Sequence, residues 1–230
     1  MMRYVRNSKG KVFDSIQEGI NDIGSDGGWV EASVGTFTEN ITIRQSNIIL
    51  RRQGYGTVLG HTDYSRSVIL VWGASNQFVI SDIRVLNVSS GTAIRVLSGS
   101  EGGLLNNLYI TEAGQDGIQL SGVTSVKLNN CNIANIGRHA LSIANSCGVL
   151  VVKNYMGNAW VSGSMINISG GGGHIISDNF LTNFGASSGI GVVIGASANN
   201  VTLTSNRIAG FSTGFSDNGT NTICGLNNIS

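Results

Sequence analysis

The chain has 230 residues, 41% of them hydrophobic, which is enough for one sizeable packed core and too apolar for a disordered segment. Only 12% are charged and the net charge is +1, so the basic patch of a nucleic-acid binder is missing. Glycine is frequent, at 33 residues, and proline is absent, so the turns must be made by Gly and Asn.

From the N-terminus, MMRYVRNSKGKV carries basic residues with no apolar stretch behind them, so no signal peptide is read there. In VFDSIQEGINDIG the apolar residues Phe13, Ile16, Ile20 and Ile23 fall on one helical face that ends at Gly24. This predicts a strand and a short amphipathic helix over 1–27. Residues 28–230 are expected to form the main body, with the helix covering its open end. Two irregular segments come first, WVEASVGTFTENITI and NIILRRQGYGTVLG.

From residue 78 the chain repeats. Taking Val85, Ile110, Ile133, Met156, Leu181 and Ile208 as anchors, the steps are 25, 23, 23, 25 and 27 residues. Five residues earlier stand Ile80, Leu105, Leu128, Val151, Ile176 and Leu203, and three residues later Val88, Ala113, Ile136, Ala159, Phe184 and Phe211. A second strand follows in each unit: Ile94–Val96, Ile118–Leu120, Leu141–Ile143, Ile166–Ile168 and Ile190–Val192. Strand-sized segments separated by Gly, Asn and Ser, in units of about 24 residues, predict an all-β parallel solenoid whose coils bury one another's apolar faces. Asn154, Asn179 and Asn206 share one column and are expected to form an amide ladder, with Cys131 in the same column as a buried small side chain. Asn87, Glu112, Asn135, Asn158 and Asn183 fall where a tight bend calls for a left-handed residue. At the far end, CGLNNIS shows no counterpart of the N-terminal cap.

Several features point away from other classes. The longest apolar runs, around Val68–Trp72 and Val149–Val152, are too short to cross a bilayer. Cys131, Cys147 and Cys224 are odd in number and lack C-x-x-C spacing, so neither a disulfide framework nor a metal site is predicted, and no cofactor is expected. Six N-x-[ST] sequons read as compositional in a chain this rich in Asn, Ser and Thr.

The opening FDSIQEGINDI…GGWVEASVGTFTENITI…NIILRRQGYGTVL, with the repeated N-x-I-x-N-x-G and D-G-I units, resembles the right-handed parallel β-helix proteins of the pectin-lyase-like superfamily. The Pro usual before the G-T-[FY]-x-E-N corner is replaced by Ser33–Val34. The resemblance implies a right-handed coil. It also implies a polysaccharide partner and one of two kinds of protein: a glycosidase or lyase, or a spike-, fibre- or adhesin-like scaffold that binds glycan or assembles as a homotrimer. The sequence itself fixes no compartment; an extracellular or virion-associated one is compatible with the resemblance. No nucleic-acid or membrane partner is expected.

Chemistry in such proteins sits on the strand after the corner, and the resemblance aligns Thr92, Asp116, His139, Ser164, Ser188 and Thr213 in that column. Asp116 in QDGIQL and His139 in RHALSI then lie on adjacent coils, with Arg138, Arg95 and Glu112 nearby and Gln119 and Ser142 in the next outward column. Asp116 suits a general acid or base, His139 its partner, and Arg95 or Arg138 a carboxylate clamp, with Glu112 as a second carboxylate. QDGIQL resembles the N-T-D-G-I element of polygalacturonase-type hydrolases and RHALSI their G-H-G-x-S-I element, but the paired-Asp coil between them is missing and no R-I-K follows. The same residues read equally as a solvated ion pair of Asp116 with Arg95 or Arg138. His174 is expected to be a core or turn residue, and His61 a loop residue that, with Asp63, Tyr64 and Arg66, can edge a groove.

One residue before each anchor stand Arg84, Tyr109, Asn132, Tyr155, Phe180 and Arg207, a column that period-two logic points outward. Tyr109, Tyr155 and Phe180 are therefore expected, with Gln119, to bind substrate by stacking on sugar rings, or alternatively to form a subunit contact or lie under loops. Beyond Asp116 only six residues carry charge, which suits a neutral glycan or packing against further copies of the chain.

Overall fold

The structure is a computed structural model that describes residues 4–52, 56–60, 66–73, 75–88, 90–159, 163–184 and 189–230. The chain winds as an all-β right-handed helix of about seven turns, with one short α-helix near its start. Among the described residues the strands form three long sheets of eleven, nine and eight strands and a small one of three. We call the long ones sheets A, B and C, in the order in which each coil visits them. They are parallel except at the beginning, where Val5–Asn7 pairs antiparallel with both Val12–Phe13 and Gly28–Ala32.

The repeat read from the sequence is the repeat of the coil. On sheet B the anchors are hydrogen-bonded neighbours from Val85 through Ile110, Ile133, Met156 and Leu181 to Ile208, and all are fully buried. On sheet A the column from Ile80 to Leu203 is equally continuous and buried. Each of these side chains sits over its equivalent in the next coil, so a single apolar core runs the length of the rod.

Two expectations change. Phe184 stands where the register predicts a core residue but is 75% exposed, because its sheet B strand ends at Thr182 and the chain has already turned outward. On sheet C, Ile166 pairs with Val192 rather than Ile190, and Ser164 pairs with Ile190. The fifth strand is therefore shifted by two residues from the sequence alignment, because the connection before it is longer. Ile190, not Ser188, occupies the column of Asp116 and His139; Ser188 itself lies outside the described residues.

The bends follow the predicted chemistry at three positions, whereas Asn183, just past the shortened sheet B strand, is buried and not left-handed. Glu112, Asn135 and Asn158 adopt left-handed backbone at φ 61°, 56° and 54°. The Asn ladder is present and longer than expected. Asn154 Nδ2 donates to Asn179 Oδ1 (3.0 Å), Asn179 Nδ2 to Asn206 Oδ1 (2.9 Å) and Asn206 Nδ2 to Asn227 Oδ1 (3.0 Å). Asn154 Oδ1 also accepts the Cys131 N–H at 2.8 Å. Cys131 is buried in this column, and burial pushes its thiol up to about 12.

The helix, α1, spans Ile16–Ile23, buries Ile16, Ile20 and Ile23 and ends at Gly24, φ 68°. Phe13 belongs to the preceding strand rather than to the helix, and packs against the core from there. Two contacts make α1 a cap. The Glu39 carboxylate, from the T-E-N segment, accepts from Ser15 Oγ (2.7 Å), Ile16 N (2.9 Å) and Gln17 N (3.0 Å), closing the helix N-terminus. The Gln17 amide then mimics a strand: its Oε1 accepts the Thr42 N–H (2.6 Å) and its Nε2 donates to Thr42 O (3.1 Å). The first strand of sheet C, Ile41–Ile43, thus has its edge covered.

Candidate functional site

Three surfaces hold the residues singled out in the sequence. The first is the corner between sheets B and C. Gly117, which follows Asp116, is required there, since a Cβ would lie 2.5 Å from Ile133 Cγ2 and 2.7 Å from Ala140 O. That tight approach brings the Asp116 carboxylate under the next coil, where it is fully buried. Arg138 Nε donates to Asp116 Oδ1 (2.8 Å) and Arg138 Nη2 to Oδ2 (2.6 Å), a two-point fork. The His139 N–H adds a third bond to Oδ1 at 3.3 Å. The carboxylate in turn holds the Arg138 guanidinium above its ordinary value.

His139 is half-buried, and its ring turns toward the following coil rather than toward Asp116. Its Nδ1 accepts the Ser164 N–H at 3.1 Å and lies 3.2 Å from Ser164 Oγ. Burial pushes this imidazole below its ordinary value of 6.5, opposed by the Asp116 charge and the backbone at Ser164 and reinforced by Arg138. The same Nδ1 also lies 3.2 Å from Ser164 O, so Ser164 can pair with either tautomer of the ring.

Arg95 and Glu112 stand apart from this corner. Sheet register places Arg95 beside Gln119, and Arg95 Nε donates to Gln119 Oε1 at 2.7 Å. Arg95 lines a groove of about 330 Å³ on the outer face of sheet C together with Asn40, Thr42, Arg66 and Leu70. Glu112 is exposed at its bend, and among the described residues its carboxylate has no hydrogen-bond or ion-pair partner. The structure therefore brings Asp116, Arg138 and His139 together and leaves the other two at a neighbouring face and a neighbouring bend. Of the loop group, Arg66 lies in the sheet C groove, while His61, Asp63 and Tyr64 lie outside the described residues. His174 is buried, its Nδ1 accepting the Val149 N–H at 3.3 Å, in keeping with its core column.

The third surface is the aromatic column. Arg84, Tyr109, Asn132, Tyr155, Phe180 and Arg207 are register neighbours across sheet B. The guanidinium of Arg84 lies 4.9 Å over the Tyr109 ring and that of Arg207 4.9 Å over Phe180. Tyr155 and Phe180 meet edge to face with centroids 5.5 Å apart. Tyr109 is 37% exposed. Beside it a groove of about 200 Å³ is walled by Arg52, Asp82, Asn107, Asn130 and Asn132, with Asn107 Nδ2 donating to Asp82 Oδ1 at 2.6 Å. Sequence reasoning misses this polar wall because its members come from four successive coils, with Asp82, Asn107 and Asn130 at turn positions and Arg52 and Asn132 on strands.

Among the described residues no group of three or more His, Cys, Asp or Glu side chains is placed to hold a metal ion. No described helix is long and apolar enough to cross a membrane.

The fold has many structural counterparts. ORF18 of Geobacillus virus E2 superposes with a TM-score of 0.69 over 86% of this chain at 15% identity. The tailspike protein gp49 of Acinetobacter baumannii bacteriophage Fri1, a capsular polysaccharide depolymerase, gives 0.63 over 93% at 13% identity. An alginate lyase from Paenibacillus sp. str. FPU-7 gives 0.62 over 94% at 13% identity. The chain spans 49% and 46% of the two phage proteins and 96% of the lyase. At these identities the likeness is one of fold. No curated protein matches the chain in sequence. The family described as "Right handed beta helix region" matches residues 116–230, half of the chain, and the protein belongs to that right-handed β-helix family.

Proposed function

We propose that the protein recognises polysaccharide along the outer face of sheet B. The observation that carries this reading is the aligned column of Tyr109, Tyr155 and Phe180, flanked by Arg84 and Arg207 and bordered by the Asp82–Asn107–Asn132 groove. Aromatic faces repeating along a rod suit successive sugar rings, and the amides and carboxylate beside them suit sugar hydroxyls. The structural counterparts include proteins named for action on capsular polysaccharide and on alginate, which supports a glycan as the ligand class.

A second reading, cleavage, rests on His139. Its imidazole, held below 6.5 by burial, is neutral at pH 7 and meets Ser164 through Nδ1, which leaves Nε2 to exchange a proton with a leaving or polarised oxygen. In that reading Asp116 and Arg138 hold the corner around it, while Arg95, Gln119 and Glu112 approach substrate from the adjoining face and bend, in a glycoside hydrolase or a polysaccharide lyase. Asp116 itself is buried with both oxygens occupied, which favours recognition over chemistry at that carboxylate.

One panel experiment tests both. Wild type, a Tyr109→Ala/Tyr155→Ala/Phe180→Ala variant and an Asp116→Ala/His139→Ala variant are run through gels containing neutral or uronate polysaccharides. The same mixtures are assayed for new reducing ends and for the ultraviolet absorbance of unsaturated products. The proposal expects at least one polysaccharide to retard the wild type and not the aromatic variant. Reducing ends or unsaturated products released by the wild type and not by the Asp116→Ala/His139→Ala variant establish the second reading. Equal retardation of wild type and aromatic variant by every polysaccharide removes the sheet B site.

A further inference from the structure

Two grooves adjoin at the capped end of the rod, over the first strand of sheet C. One, of about 340 Å³, lies between α1 and that strand and is lined by Gln17, Asn21, Asn40, Thr42, Arg44 and Gln45. The other, the sheet C groove of about 330 Å³, shares Asn40 and Thr42 with it and adds Arg66 and Arg95. Three arginines therefore border one concave surface, and no described Asp or Glu lines either part of it. The adjacent acid in sequence, Glu39, is turned to the N-terminus of α1.

Two of these guanidinium groups are held in place without being neutralised. Arg95 bonds Gln119 Oε1 through Nε, and among the described residues it has no carboxylate partner. Arg44 lies 4.7 Å over the Trp72 ring, and among the described residues it too has no carboxylate partner. Stacking uses the face of the guanidinium and leaves its N–H donors, all in the plane, for an acceptor. Register sets Arg44 just past the end of the first strand of sheet C and Arg66 before the start of the second, with Arg95 on the third between them. The charge is also local: beyond Arg95 the outward column continues through Gln119, Ser142, Asn167, Val193 and Ser216 with no further charge.

We propose that this capped-end groove binds an acidic oligosaccharide, with carboxylate or sulfate groups on Arg44 and Arg95. Charge complementarity selects the acidic groups, because guanidinium forks match oxyanions and three separated arginines suit several such groups on one chain. The amides and hydroxyl between them, from Asn21, Asn40, Thr42 and Gln45, suit sugar hydroxyls rather than a lipid. Trp72, the aromatic beside Arg44, has a face covered by the guanidinium, which disfavours stacking of nucleic-acid bases. The site is separate from the aromatic column of sheet B. Binding here needs neither His139 nor Asp116, although Arg95 is shared with the cleavage reading.

The test is calorimetric titration of the full chain with an oligogalacturonate, a sulfated heparin fragment and a neutral malto-oligosaccharide of matched length. Wild type is expected to bind at least one acidic oligosaccharide, and the tighter of the two identifies the acidic group. That affinity is expected to fall about 10-fold between about 50 and 300 mM salt, as screening of half-exposed charges requires. Arg44→Gln/Arg95→Gln is expected to bind the acidic ligand about 10- to 100-fold more weakly, with an unchanged circular dichroism spectrum. Because Arg95 also bonds Gln119, Arg44→Gln alone, at an exposed position, provides a second arm with an expected loss of about 3- to 10-fold. The Tyr109→Ala/Tyr155→Ala/Phe180→Ala variant is expected to keep the acidic binding. Absence of acidic binding, binding insensitive to salt, or equal affinity in wild type and both arginine variants overturns the proposal. So does loss in the aromatic variant with retention in Arg44→Gln/Arg95→Gln, which would place the acidic sugar on sheet B. Tighter binding of single-stranded oligodeoxythymidylate than of either acidic sugar, lost in the arginine variants, overturns the saccharide as ligand.

Discussion

Arg138 closes over Asp116 from one coil to the next, its Nε and Nη2 reaching the two carboxylate oxygens at 2.8 and 2.6 Å. The acid is fully buried while the guanidinium is 46% exposed, so the pair is a lid on a desolvated charge rather than a surface ion pair. Removing the lid leaves the charge; removing the charge removes the need for the lid. Arg138→Ala is therefore expected to destabilise by about 1–3 kcal/mol, less than a fully buried pair because water reaches the vacated space. Asp116→Asn/Arg138→Leu is expected to lose less than Arg138→Ala alone. Urea unfolding of both variants checks the order, and the reverse order would show that the pair contributes by attraction rather than by relieving burial.

Asn179 is the central rung of the amide ladder. Its Oδ1 accepts from Asn154 N (2.9 Å) and Asn154 Nδ2 (3.0 Å), and its own Nδ2 donates to Val151 O at 3.0 Å. Asn179→Ala leaves the buried Asn154 N–H without its partner and takes one bond each from Asn154 Nδ2 and Asn206 Oδ1, which keep their backbone bonds, an expected loss of about 2–3 kcal/mol. Asn227→Ala, at the partly exposed last rung, is expected to lose about 1 kcal/mol. Comparable losses at the two positions would contradict a ladder whose strength depends on burial.

Burial depresses both His139 and His174 below 6.5, so the folded chain resists protons that the unfolded chain accepts. The unfolded state binds more protons in this window, and stability rises with pH there. On acidification from pH 7 the loss begins near 6.5 and is complete once the pH falls below the folded-state values. The unfolding free energy of wild type is expected to fall between pH 7 and pH 5, and His139→Gln to flatten that slope. An equally steep slope in the variant would mean that His139 titrates normally in the fold.

The three thiols are expected to separate by rate. Cys147 and Cys224 are exposed, whereas Cys131 is buried with its thiol near 12. An aromatic disulfide reagent at pH 8 is expected to titrate two thiols in the native protein and the third only on unfolding. Cys224, raised by partial burial and by Asp217, is expected to react more slowly than Cys147. Rapid reaction of all three would show that the coil around Cys131 opens readily.

The coil is legible in the sequence because stacking forces equivalent residues into columns: Val85 to Ile208 and Asn154 to Asn206 need only a correct period. The site is legible in part. Asp116, Arg138 and His139 meet because D-G-I and R-H-A fall at equivalent corners, but Arg95 reaches that corner only by coil counting, and its register partner is Gln119. Ser188 falls in the column only by counting back from Ile190, and the two-residue lengthening before that strand has no sequence marker. An outward column on sheet A is hidden inside runs such as Leu104–Leu105, Leu150–Val152 and Ile175–Ile176, which read as strands buried on both faces until their alternation is seen across coils. Glu39 and Gln17 cap the rod through contacts 22 to 25 residues apart, beyond any local pattern.

The most direct test of the central claim is calorimetric titration of wild type, Tyr155→Ala and Arg138→Ala with an oligosaccharide from whichever polysaccharide retards the wild type. Recognition on sheet B predicts that Tyr155→Ala weakens binding about 2- to 10-fold, the contribution of one stacked ring, while Arg138→Ala binds like wild type. Unchanged affinity in Tyr155→Ala together with a large loss in Arg138→Ala would contradict it and place recognition at the Asp116 corner.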